Sequence, residues 1–315
     1  MPKYSVSDLR AIHDLPLPDL IFKAQQVHRE HHQPSEVQLC SLLSVQTGGC
    51  PEDCAYCPQS SHYDTGIRRS KALEVAEVVT AAKRAQAAGA TRFCMGTAGR
   101  AAKDGEAFDN ILAMVRAVRG LGMEACITLG MLTDEQTARL AEAGLTVYNH
   151  NVDTSQAFYD NIVTTRSYDD RLATLGRVRK AGIKVCSGGI IGMGESIDDR
   201  CGMLATLANL DPPPESVPIN ALVPVKGTPL GERSPVDPLE LVRIIATARI
   251  AMPTARVRLS AGRSGLSREA QLMCFLAGAN SIFFGDKLLT TGNPDVESDH
   301  KLLRDAGLRP APAVH

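Results

Sequence analysis

Val37-Gln38-Leu39-Cys40-Ser41-Leu42-Leu43-Ser44-Val45 leads into Gly48-Gly49-Cys50-Pro51-Glu52-Asp53-Cys54-Ala55-Tyr56-Cys57-Pro58-Gln59. The first segment is an apolar run that ends at a glycine turn, the pattern of a buried strand. The second is a loop with three cysteines spaced C-x3-C-x2-C. No G-x-G-x-x-G turn follows the strand, which argues against a doubly wound open sheet.

Downstream the chain settles into a repeat of helix, glycine and apolar strand. Val75, Val78, Val79 and Ala82 share a helical face, and Gly89 precedes Thr91-Arg92-Phe93-Cys94-Met95-Gly96. Phe108, Ile111, Leu112, Val115 and Val118 form the next face, with Gly122 before Glu124-Ala125-Cys126-Ile127-Thr128. Gly144, Gly182 and Gly278 close further rounds before Leu145–Asn149, Ile183–Ser187 and Ser281–Phe284. Glycine there is the expected left-handed cap that turns helix into strand. Strands at Val217–Leu222 and Arg256–Ser260 bring the total to about eight. Eight strands alternating with helices imply a parallel (βα)8 TIM-type barrel. The expected organisation is an N-terminal helical extension over 1–36, a barrel over 37–294, and a C-terminal helix with a disordered tail over 295–315. Asp19–His28 reads as an amphipathic helix entered through Pro16 and Pro18. His28, His31 and His32 near its end read as ordinary cations at a helix C-terminus.

Net charge is -1, from 34 basic and 35 acidic residues, with no basic-aromatic patch to suggest nucleic acid. No apolar run approaches the ~18 residues of a membrane span, and Met1-Pro2-Lys3-Tyr4 shows no export pattern. Nine cysteines in that setting imply free thiols in a reducing, cytoplasmic compartment.

Three closely spaced thiolates can hold three corners of a cubane iron–sulfur cluster and leave one iron open. Zinc is the rival, but no second C-x2-C knuckle follows. Cys94, Cys126 and Cys186 each sit inside a strand, four or five residues after a glycine. Interior residues of neighbouring barrel strands meet in layers, so these thiols can converge on one point. Each is equally readable as a small buried filler, and the pattern alone does not choose. Cys40 reads as core packing, with an interior position near a metal as the alternative.

The C-x3-C-x2-C loop, with Tyr56 before its last cysteine, resembles the radical S-adenosylmethionine (SAM) superfamily. Together with Arg92-Phe93-Cys94-Met95-Gly96, Tyr148–Thr154, Val185–Ile190, Val257–Arg263 and Lys287–Thr291, it resembles the biotin synthase family from about residue 37 to 294. That resemblance implies a [4Fe-4S] cluster on Cys50, Cys54 and Cys57 that cleaves SAM to a 5′-deoxyadenosyl radical. It implies a [2Fe-2S] cluster on Cys94, Cys126, Cys186 and Arg258 that gives up sulfur. From the residues alone Arg258 is an interior ion-pair partner, because a guanidinium has no acceptor.

The implied reaction converts dethiobiotin to biotin. Tyr56, Asn151, Asp153 and Ile190 fall at SAM-contacting positions. Asn151 and Asn220 fall at ureido-contacting positions, and Thr290 and Thr291 at carboxylate-contacting ones. Gly188-Gly189-Ile190 is expected to let backbone approach the adenine, with a plain turn after the strand as the alternative, and Asp153 alone also reads as a helix cap. Reduced flavodoxin or ferredoxin is the implied electron donor and a homodimer the implied assembly. Two departures stand out: Gly99 replaces a frequent Trp, and Cys40 replaces a hydroxyl residue near the second cluster. The rivals are another radical SAM reaction and an iron–sulfur carrier.

Overall fold

The computed structural model describes residues 4–313. The expectations placed on Met1–Lys3 and on Val314-His315 fall outside the described residues. The chain opens with two helices, α1 (Val6–His13) and α2 (Leu17–His31). Only α2 was legible as a pattern. A capping box starts α1: Asp8 N donates to Ser5 Oγ at 3.1 Å, and Ser5 N donates to the Asp8 carboxylate at 2.8 Å.

The barrel strands are β1 (Glu36–Gln46), β2 (Arg92–Thr97), β3 (Glu124–Thr128), β4 (Val147–Asn149), β5 (Lys184–Cys186), β6 (Gly189–Ile191), β7 (Ser216–Ala221), β8 (Arg256–Leu259) and β9 (Ser281–Phe283). Between them run α3 (Val75–Ala87), α4 (Glu106–Gly120), α5 (Asp134–Glu142), α6 (Tyr168–Lys180), α7 (Ile197–Ala208), α8 (Pro238–Ala251) and α9 (Arg268–Leu276). Every barrel pairing is parallel, and β1 pairs with both β2 and β9, which closes the cylinder. The expected (βα)8 barrel is therefore the observed fold, with β5 and β6 sharing one of its eight strand positions. The glycines that end α3, α4, α5, α6 and α9 take φ between 75° and 104°, as left-handed caps should.

The fifth strand breaks for a steric reason. A Cβ on Gly188 would stand 1.9 Å from Pro218 O, and one on Gly189 would stand 2.4 Å from Asp153 O. These glycines make room for the protein's own backbone at Pro218 and Asp153.

Two expectations change. The tail was expected to be disordered from Arg309, after α10 (Val296–Asp305). Instead β10 (Arg309–Pro310) extends β1, with Arg309 N donating to Ser35 O at 2.8 Å and Ala311 N to Val37 O at 2.9 Å. β1 overhangs the barrel and offers a free edge, and Pro310 stands where no N–H is needed. Of the three histidines at the end of α2, His31 is exposed there as expected, whereas His28 and His32 are not surface cations. His28 is buried with neither ring nitrogen partnered, and burial beside Arg249 holds it down to about 3. His32 accepts from Arg249 at 2.9 Å and is held down to about 4 for the same reasons. The α2–α8 seam is thus packed with neutral imidazoles, because a charge there would lack water.

Register aligns the interior. Cys94 lies opposite Cys126, Asn149 opposite Cys186, Cys186 opposite Ser216, and Arg258 opposite both Pro218 and Ser281. Below them a charged floor closes the strands' N-terminal end. Arg92 pairs with Glu124 at 2.9 Å, and Gln38 donates to the same carboxylate oxygen at 2.8 Å.

Candidate active site

The barrel's C-terminal mouth opens into a cavity of about 340 Å³. Of the residues expected to hold the clusters, SAM and the substrate, all line it except Cys54 and Cys186, which are buried.

The cysteine loop begins with Gly48 and Gly49 at φ 77° and 70°, and a Cβ on Gly48 would meet Arg68 O at 2.7 Å. The loop folds back on itself through Cys50 N to Gln59 O at 3.0 Å and Cys57 N to Cys54 O at 2.9 Å. It is tied to the segment after β4 by Ala55 N to Ile162 O at 2.9 Å. Asp53 accepts from Thr164 N at 3.0 Å and Thr165 Oγ1 at 2.9 Å, and Glu52 accepts from Thr165 Oγ1 at 2.8 Å and Arg100 at 3.0 Å. Burial opposes ionisation of Asp53, but the bonds from Thr164 and Thr165 outweigh it and hold the carboxyl at about 2. Burial pushes the Cys54 thiol up to about 12 and the Cys57 thiol up to about 11. Thiols held protonated in this way yield their protons only to a strong acceptor such as a metal.

The second thiol set lies deeper. Cys40, Cys94, Cys126, Cys186 and Val147 form their own buried cluster, distinct from the main core. Cys40 therefore faces the interior beside the strand cysteines, which corrects its reading as ordinary packing. The Cys126 thiol is hydrogen-bonded to Cys94 and, with Arg258 and Arg92 nearby, draws the Cys94 thiol downward. Arg258 is fully buried. It donates to Ser281 Oγ at 3.0 Å, Cys40 Sγ at 3.2 Å, Ser216 Oγ at 3.3 Å and Cys186 Sγ at 3.7 Å.

Between the two sets stand the polar candidates. Tyr56 donates to Asp153 Oδ2 at 2.7 Å. Asp153 holds the left-handed φ of 69°, rare outside glycine, and its backbone bridges to Gly189. Ile190 N donates to Asp153 O at 2.8 Å, so its N–H is already committed within the protein. Asn151 Oδ1 accepts from Gly188 N at 3.2 Å, and no partner occupies its Nδ2 among the described residues. Asn220 spends one donor on Gly189 O at 2.9 Å and accepts from Ala261 N at 3.2 Å. Thr290 and Thr291 lie on a loop after β9, where Leu289 leans over β2 so closely that a Cβ on Gly96 would meet it at 2.9 Å. At Gly99 a Cβ would find only Ala101 O at 3.9 Å, so this chain keeps open space where a larger side chain would fit.

Sequence reasoning missed Arg171. It is buried on α6, donates to Tyr159 Oη at 2.6 Å and Asn151 O at 2.7 Å, and forms an ion pair with Asp153. The available signal was a charge at i, i+4, i+7 spacing with Leu175 and Val178. It also missed Ser260 and His150, which line the cavity with Oγ and Nε2 buried and unpartnered.

No three of these side chains among the described residues converge as a single ion requires. Iron–sulfur clusters ask something else of a site. Each thiolate takes a different iron or one end of a core, so donors stand around a volume. Two thiol sets around a cavity with orphaned buried polar atoms fit that demand.

The fold and site define a radical SAM enzyme, and a radical SAM superfamily model matches residues 44–207. A model of the biotin and thiamin synthesis associated domain matches residues 218–309. The chain belongs to the biotin synthase family. It is 65% identical to a biotin synthase of Methylobacterium sp. (strain 4-46) over 312 residues, 99% of this chain and 94% of the relative. It is 62% identical to a biotin synthase of Myxococcus xanthus over 98% of this chain and 89% of that one. Among solved structures, methylornithine synthase superposes with a TM-score of 0.81 at 20% identity, covering 99% of this chain and 95% of that one. That likeness speaks for the fold alone.

Proposed function

We propose that Cys50, Cys54 and Cys57 hold a [4Fe-4S] cluster, and that Cys94, Cys126 and Cys186 with Arg258 hold a [2Fe-2S] cluster, in an enzyme that inserts sulfur into dethiobiotin to make biotin. When bound, the first cluster with SAM supplies a carbon radical and the second supplies sulfur. The observation that carries this reading is that two separate thiol sets face one cavity from different depths.

The chain's own residues bind and orient. An unactivated C–H bond offers no acidity to a general base, so the side chains here need not move protons from carbon. Tyr56 and Arg171 fix Asp153, whose Oδ1 remains uncommitted among the described residues and suits a ribose hydroxyl. Asn151 Nδ2 and the second Asn220 donor hydrogen suit a urea carbonyl. Thr290 and Thr291 offer hydroxyls to a carboxylate at the mouth. Leu288 and Leu289 line the same wall and help exclude water. A reduced flavodoxin or ferredoxin is the electron donor this reading calls for.

The test is Cys94→Ala, reconstituted anaerobically. It keeps 5′-deoxyadenosine formation and the [4Fe-4S] signature but makes no biotin. An unimpaired Cys94→Ala enzyme removes the sulfur-donor assignment.

A further inference from the structure

We infer that Cys40 is a second donor for the ligand position taken by Arg258, so that four thiols, not three, stand around the sulfur-donating cluster. The inference rests on the reading of that cluster given above.

Cys40 is fully buried and shares one side-chain cluster with Cys94, Cys126 and Cys186. The Arg258 guanidinium bridges it to the others, with Nη2 at 3.2 Å from Cys40 Sγ and Nη1 at 3.7 Å from Cys186 Sγ. Its other sulfur contacts are ordinary thiol hydrogen bonds, to Gln38 Oε1 and Ser281 Oγ at 3.5 Å, which ligation would exchange for an iron–sulfur bond. A guanidinium has no lone pair to offer until it gives up a proton, whereas a thiolate is a soft donor of the kind iron–sulfur clusters ordinarily use.

A second observation points the same way. Arg92 lies opposite Cys40 in the β1–β2 register. It is buried, and its Nη1 has no partner. Its charge acts on Cys40, Cys126 and Cys186 together. An additional thiolate at Cys40 would therefore meet a guanidinium that is paired with Glu124 through Nε but has its Nη1 free among the described residues. Exchange would break the Cys40 S–H bond and the iron–nitrogen bond to Arg258 and form one iron–sulfur bond; the thiol proton would pass to the released Arg258 guanidine, and no electron moves.

The experiment compares wild type, Arg258→Met, Cys40→Ser and the double variant, each as the full chain reconstituted anaerobically. The readouts are iron, sulfide and Mössbauer spectra. Each single variant is expected to keep the second cluster, and the double variant to lose it. A double variant that holds as much second-cluster iron as Arg258→Met overturns the inference, as does an Arg258→Met protein already empty at that site. Retention of the [4Fe-4S] signature reports folding in every sample. Should Arg258→Met fail that control, Arg258→Gln with and without Cys40→Ser makes the same comparison. A wild type with only one kind of iron centre sinks the parent reading instead, an outcome distinct from the others.

Discussion

The two thiol sets are built in opposite ways. Cys50, Cys54 and Cys57 are neighbours in the chain and sit on a loop, whose shape is imposed from outside by Thr164, Thr165, Ile162 and Arg100. Cys94, Cys126 and Cys186 lie far apart in the chain; strand register sets Cys94 opposite Cys126 and Cys186 two residues further along, opposite Asn149, and barrel closure gathers them into one buried cluster. The electrostatics differ as well. Burial holds Cys54 and Cys57 protonated; in the inner set the hydrogen bond between Cys94 and Cys126 draws Cys94 down and pushes Cys126 up, burial pushes Cys40 up, and the guanidiniums of Arg258 and Arg92 stand close by. The first set is local chemistry on an adjustable support. The second is a property of the closed barrel and forms only when the whole cylinder does.

The sharpest way to break this comparison is to empty one set and ask whether the other notices. Cys54→Ala is expected to abolish 5′-deoxyadenosine formation completely while the second cluster's iron and sulfide stay bound. Anaerobic reconstitution with Mössbauer analysis reads both. If second-cluster iron disappears with the first, the two sets are one cooperative centre and the contrast drawn here is wrong.

The same division explains what could be read before the fold was seen. The loop announces itself because its donors are contiguous. The barrel announces itself because each turn from helix to strand needs a glycine with positive φ, and Gly122 or Gly182 advertises that need in place. The direction of a single side chain has no such local signal. Whether Cys40 faces the helices or the interior depends on where β1 meets β9, a contact between residues more than two hundred positions apart. The tail's pairing with β1 and the burial of His28 against α8 are long-range in the same sense. Gly188 and Gly189 were legible as glycines, but the approach of Pro218 and Asp153 to them was not.

A smaller effect is expected where the two regions touch. Arg171 ties Asp153, beside the loop, to Asn151, beside the inner set. Arg171→Leu leaves the Asp153 carboxylate buried and without its cation. That is expected to cost about 3–5 kcal/mol in chemical denaturation. Adding Asp153→Asn should recover part of the loss, because the orphaned charge is then gone. Strictly additive effects of the two substitutions would show that the pair is not coupled and that each residue acts alone.

The smallest expected effect is on the loop's support, and it has a defined sign with pH. Asp53 ordinarily titrates near 3.8 and is held at about 2 in the fold by Thr164 and Thr165. A carboxyl depressed on folding binds fewer protons in the native state. Its contribution is therefore fully present above 3.8 and is lost as pH falls toward 2. In the cluster-free protein, denaturation midpoints should fall more steeply across that window for wild type than for Asp53→Asn, with the two curves separating most at neutral pH. Among the described residues Cys186 is hydrogen-bonded by Asn149 and Arg258 and by no carboxylate, so Cys186→Ser should leave the steepness unchanged. Parallel curves for wild type and Asp53→Asn would mean that the threonine clasp does not hold the loop, and that the cluster itself, once bound, gives the loop its shape.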